Sequence, residues 1–211
     1  MKITATALCI LLFVMPACQE SSDRSFSQTY STAYLKRLLM LAKSAILEQF
    51  DTQRSKTFQD IPYSQSRLGV FIRIIGGGRD RGCIGFYRGV DSIERAVRAA
   101  AVNAAFFDGR YPPLCREELA ACVLEITVIG ELKAMADPFD FDLTKHMLRI
   151  EFDNHEAMLQ PQIAAQYGYG KEAFLRALCR KAGLEENMYC DNGVQLYKAR
   201  AIYLRKHWSE L

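Results

Sequence analysis

The chain has 211 residues, half of them hydrophobic and 24% charged, with a formal net charge of +3. That length fits one domain, or two lobes of one domain, because a single core is typical up to roughly 250 residues. The composition excludes a disordered chain, and the charge falls short of the strongly basic balance of a dedicated nucleic-acid binder.

The N-terminus begins Met1-Lys2 and continues as an apolar run from Ile3 to Met15, broken only by Thr4 and Thr6. The run is shorter than the ~20 apolar residues that cross a bilayer, and it suits a signal-peptide core. It closes on Met15-Pro16-Ala17-Cys18. This lipobox-like end predicts a signal peptide over 1–18, Cys18 as the lipidated residue, and anchoring to a bacterial membrane at the cell envelope. Met15 and Pro16 depart from the usual lipobox residues. A secretory signal that leaves a periplasmic protein, or a buried helix in a cytoplasmic one, stays open as an alternative. Residues 19–29 are polar and serine-rich and read as a flexible tether.

Leu35, Leu38, Leu39, Ala42, Ile46 and Leu47 form one stripe at helical spacing, predicting a helix from Tyr34 to Phe50 capped by Ser31 or Thr32. A polar loop runs to Gln65. Leu68 to Ile75 has the β-branched and aromatic content of a strand. Gly76-Gly77-Gly78 turns it, and Gly82 to Tyr87 returns as a hairpin partner. Asp91-Ser92-Ile93-Glu94 opens a helix that lasts through Phe106, and Asp108-Gly109 ends it. Cys122 to Ile129 alternates as a half-buried strand, with Glu125 and Thr127 on the face opposite Leu124, Ile126 and Val128. His146 to Phe152 is the next strand. Gln162 to Gln166 and Lys171 to Ala182 follow as helices, the second stopped by Gly183, and Val194 to Leu204 closes the chain as a strand. The glycine-turned hairpin favours antiparallel pairing, so the elements predict an α+β fold.

Once Cys9 and Cys18 are assigned to the signal, Cys83, Cys115, Cys122, Cys179 and Cys190 remain, an odd set that argues against a disulfide framework. There is no Cys-x-x-Cys, and His146, His155 and His207 are scattered singly. No metal site and no cofactor are expected.

Several blocks in order resemble the AMMECR domain family, protein A of the AmmeMemoRadiSam system. They are Gly69-Val70-Phe71, Arg81-Gly82-Cys83-Ile84-Gly85, Asp108-x-Arg110-Tyr111-Pro112-Pro113, Leu124-Glu125-Ile126-Thr127-Val128-Ile129, Leu159-Gln160-Pro161-Gln162-Ile163-Ala164, and Leu178-Cys179-x-Lys181-Ala182-Gly183. The resemblance covers 30–206, leaving 207–211 as a tail. It implies an antiparallel main sheet flanked by helices, a smaller second lobe and a cleft between them. It also implies Memo-like or radical S-adenosylmethionine proteins as partners in a modification pathway. Asp80 before Arg-Gly-Cys, Met147 after His146, Gln160, and Tyr189 near an expected tryptophan depart from the family pattern.

Cys83 lies between Gly82 and Gly85, and Arg79, Arg81 and Arg88 are expected to lower its pKa. Catalysis, lining a ligand site and plain packing all stay open, since no adjacent histidine supplies a base. Arg110, presented by Tyr111-Pro112-Pro113, suits either an anion or a structural salt bridge to Asp108 or Glu118. Arg81, Cys83 and Arg110 are expected to converge on one cleft, with His146 and Gln162 lining it through the family blocks. Glu125 reads as a general base if buried, or as a solvated or arginine-paired strand residue. Gly76-Gly77-Gly78-Arg79 reads as a hairpin turn before an anion cradle. Two functions follow. One is an envelope-anchored module whose cleft binds a ligand, a small anion among them, or a partner; the other is an enzyme or enzyme subunit.

Overall fold

The structure, a computed structural model, describes residues 26, 28–52, 68–87 and 92–211. The expected signal peptide, Cys18, most of the tether and Arg88 lie outside the described residues. No described helix is long and apolar enough to cross a membrane.

Helix α1 runs Thr32–Thr52, and the Ser31 Oγ accepts the Tyr34 N–H at 3.3 Å as its cap. Strands β1 (Gly69–Gly76) and β2 (Arg79–Phe86) form the expected hairpin. Its two connecting residues, Gly77 and Gly78, have φ of 58° and 77°, as a tight hairpin turn requires. Helix α2 (Ile93–Phe106) starts at Ser92, whose side chain accepts the Arg95 N–H. A 3₁₀ turn at Arg116–Ala121 leads into β3 (Cys122–Ile129), followed by the short β4 (Lys133–Met135). Then come β5 (His146–Phe152), β6 (His155–Leu159), α3 (Pro161–Tyr167) and α4 (Lys171–Lys181). Strand β7 (Gln195–His207) closes the fold.

All pairings are antiparallel, in the order β2-β1-β3-β7-β5-β6, with β4 also on β7. The α+β expectation holds. The 13 residues of β7 join two halves: Ala201–His207 pair with β3, and Gln195–Arg200 pair with β5. In the first half, Val70, Ile72, Ile74, Leu124, Ile126 and Val128 pack against α1 and α2. In the second, Leu148, Ile150, Leu159 and Leu196 pack against Phe174, Leu175 and Leu178 of α4. Two cores on one sheet account for the two lobes. At Gly82 β2 lies close against α2, since a Cβ there would lie 1.9 Å from the Ala104 carbonyl oxygen.

Candidate functional site

Side chains alternate along a strand, so the parity that sends Val70, Ile72 and Ile74 to the helices sends Phe71 and Arg73 to the other face. Arg73 pairs across the hairpin with Cys83, which places the thiol on that same face. The pairing then slips: Ile74 faces Gly82, but Ile75 faces Asp80, leaving Arg81 as an extra residue. This bulge returns Asp80 to the face of Arg73 and sends Arg81 elsewhere. Arg81 donates to both Glu118 carboxylate oxygens at 2.8 Å and to the Pro112 carbonyl at 3.1 Å. It does not line the cleft.

A cleft of about 290 Å³ opens on this face, lined by Phe71, Arg73, Asp80 and Cys83 from the first half and by Arg110 from the loop after α2. Its second wall comes from Met147 and Arg149 on β5, Glu156 to Leu159 on β6, Gln160 and Ile163 at α3, and Lys181 at the end of α4. Cys83 and Arg110 are thus brought together. Gly85 lies on the same face beneath the Phe71 ring, which a Cβ would meet at 2.5 Å. Gly82 faces α2 instead. His146 is not among the lining residues, and its Nδ1 accepts the Asp142 N–H at 2.9 Å at the turn into β5.

Gln162 is buried below the cleft, with Nε2 at 3.0 Å from Glu125 Oε1 and 2.8 Å from Thr127 Oγ1. Glu125 is 1% exposed. Arg205 donates to its Oε2 from Nε at 2.8 Å, and Arg73 Nη1 lies 3.5 Å from its Oε1. This carboxylate is the arginine-paired strand residue rather than a free base. Arg73 is itself 6% exposed, and its Nε donates to Asp80 Oδ1 at 2.7 Å. Buried charges demand such partners.

The Asp108 and Arg110 side chains explain why their motif accompanies Arg-Gly-Cys-Ile-Gly. Strand β2 is an edge, and edges expose unpaired N–H and C=O groups. Asp108 Oδ2 accepts the Cys83 N–H at 2.9 Å, and Arg110 Nη2 donates to the Cys83 carbonyl at 2.8 Å. The two side chains also grip each other, through Nε at 2.8 Å and Nη2 at 2.6 Å. They clamp the peptide of Cys83 as a neighbouring strand would. Although burial opposes it, Arg110 and the backbone N–H groups of Cys83 and Arg110 hold the Asp108 carboxyl below its ordinary range.

The electrostatics of the thiol reverse the expectation. Burial pushes the Cys83 pKa up and outweighs the cations that pull it down, which are Lys181, Arg110 and Arg73 rather than the expected Arg79 and Arg81. Lys181 is exposed as a residue, yet its Nζ donates to the Met158 carbonyl at 2.7 Å beside the cleft. Burial of that end draws its pKa below the ordinary lysine value, and Arg110 and Arg73 push the same way against Cys83 and Asp80.

Sequence reasoning missed Arg73, Asp80, Arg149 and Lys181. A lone charge at the alternate parity of an apolar strand was a usable signal for Arg73. Nothing local ties Lys181 to Cys83.

A family model for AMMECR1 matches residues 39–202. Among relatives, a Saccharolobus islandicus protein, LS215_2104, is 32% identical over 71% of this chain and 64% of its own. The protein MJ0810 of Methanocaldococcus jannaschii is 33% identical over 57% of this chain and 63% of its own. The match therefore spans under two thirds of either relative. The crystal structure of PH0010 from Pyrococcus horikoshii is similar at a TM-score of 0.73 and 26% identity, covering 83% of this chain and 93% of that one. With the family model spanning most of the two-lobed sheet and both halves of the clamp, the chain belongs to the AMMECR1 family.

Proposed function

We propose that this AMMECR-domain protein is a ligand-binding module whose cleft takes a small anionic molecule, held at the cell envelope by a lipid on Cys18. The observation that carries the anion is the charge of the walls. Arg73, Arg110, Arg149 and Lys181 line the cleft with the carboxylates Asp80 and Glu156; the three arginines are ion-paired, whereas Lys181 makes no ion pair among the described residues. Arg110 uses Nε and Nη2 on the clamp, and its side chain remains 57% exposed, so Nη1 offers an open edge of the guanidinium fork. A cation without a carboxylate partner in a cleft attracts ligands of the opposite sign. Its volume suits a small metabolite rather than a polymer. The lipid anchor is supported by the short apolar run ending in Ala17-Cys18.

Isothermal titration with inorganic phosphate and with small carboxylates tests the anion. Binding should weaken as salt rises and should be lost in Lys181→Glu, which puts a carboxylate in place of the cation that has no ion pair. Equal affinity in Lys181→Glu and wild type would refute the reading.

A further inference from the structure

Cys83 and Lys181 reach one cleft from opposite walls, the first on β2 and the second at the end of α4. We infer that they act as a nucleophile–base pair, with Lys181 Nζ accepting the Cys83 proton, so that the cleft captures an electrophilic carbonyl compound bearing an anionic group. The inference rests on the anion-binding reading of the same cleft and adds a reaction to it.

The groups around the pair favour this division of roles. Facing Cys83 are Lys181, Arg110, Arg73, Asp80 and Tyr111; facing Lys181 are Cys83, Arg110, Asp80 and Arg73. Burial disfavours charge on either member, raising the thiol pKa and lowering that of the lysine, so the two are drawn towards each other. Arg73 and Arg110 favour the thiolate once it forms and disfavour the ammonium beforehand, so both favour loss of a proton from the pair. Lysine is suited to base work because its pKa moves readily on burial. Among the described residues Lys181 has no carboxylate partner to hold it as an ammonium; its hydrogen bond goes to the Met158 carbonyl. The missing histidine is thereby replaced by a base from the other end of the chain. Arg110 Nη1 is placed to hold the anionic group.

The step is balanced. Lys181 Nζ takes the Sγ–H proton as Sγ attacks the carbonyl carbon. The C–S bond forms, the C=O π pair moves onto oxygen, and its return expels the leaving group of a thioester or acyl phosphate. That group takes the proton back from Nζ. The product is a thioester on Cys83, with nothing oxidised or reduced.

Alkylation of the intact protein by iodoacetamide, resolved by site with mass spectrometry across a pH series, tests the pair without a natural ligand. Lys181→Met should slow Cys83 by about tenfold near pH 8 and shift its pH profile upward, while the exposed Cys115 and Cys190 react unchanged. Lys181→Arg should be as slow as Lys181→Met, because arginine keeps the charge and cannot serve as a base. Recovery of the wild-type rate in Lys181→Arg would overturn the inference in favour of simple charge. A Lys181→Met rate within about twofold of wild type would overturn it outright. Phosphate binding by Cys83→Ser keeps the two readings apart: if it persists while the alkylation result fails, only the pair falls.

Discussion

Replacing Asp108 by alanine removes the acceptor that closes the edge of β2 at Cys83. The Asp108 side chain is 4% exposed and holds the Cys83 N–H and the Arg110 N–H as well as the Arg110 guanidinium. Stranding the partly buried Cys83 N–H costs about 1–3 kcal/mol. The ion pair itself adds no more than about 1 kcal/mol, because its arginine is largely solvated. The sum is about 1–4 kcal/mol, or about 2–16 °C in Tm for a chain of this size. Arg110→Ala leaves both N–H groups on the carboxylate and should cost only about 1 kcal/mol. Urea denaturation with unchanged m measures both. The sign with pH follows from the depressed carboxyl. Its stabilisation is complete above the unfolded value of about 3.9 and is lost as pH falls through the lower folded value. The gap between wild type and Asp108→Ala should therefore close in acid. An Arg110→Ala variant as damaged as Asp108→Ala, or a gap that widens in acid, would refute the clamp.

Gly82→Ala would drive a Cβ to 1.9 Å from the Ala104 carbonyl oxygen, backbone against backbone. It should cost about 3 kcal/mol or more, seen as loss of soluble protein or a collapsed melting transition, and a wild-type melting curve would refute the account of that glycine. For the anchor, metabolic labelling with a fatty-acid analogue should mark the wild type and spare Cys18→Ser; equal labelling of both would end the proposal.

Long periodic or β-branched segments were legible in the sequence. Strand β3 is Cys122–Ile129 as expected, and α2, β5 and the glycine hairpin fall within a few residues of their predicted positions. Strand β6 was missed because it is short and follows a two-residue turn, Asp153-Asn154, in which Asp153 takes φ 51° without a glycine to announce it. Strand β4 has three residues, too few for a period. At the site, simple alternation puts Arg81 beside Cys83. The bulge that separates them depends on the register of β1, which a single strand does not encode. Glu125 looked half-solvated because its strand alternates, yet α3 covers that face and buries it. The clamp was half legible: the salt bridge of Arg110 to Asp108 was one of two readings, but the peptide it grips was not visible. Lys181 meets Cys83 only through the pairing of two lobes, and no local pattern carries that information.

The central claim, an anion in the cleft, is tested most directly by NMR of the protein labelled at the methionine methyls and backbone amides during a phosphate titration. An anion in the cleft gives saturable shifts centred on Met147, Met158, Cys83 and Lys181, with Met40 on the outer face of α1 unmoved. Shifts spread over the surface without saturation, or confined to residues outside the cleft, would contradict it.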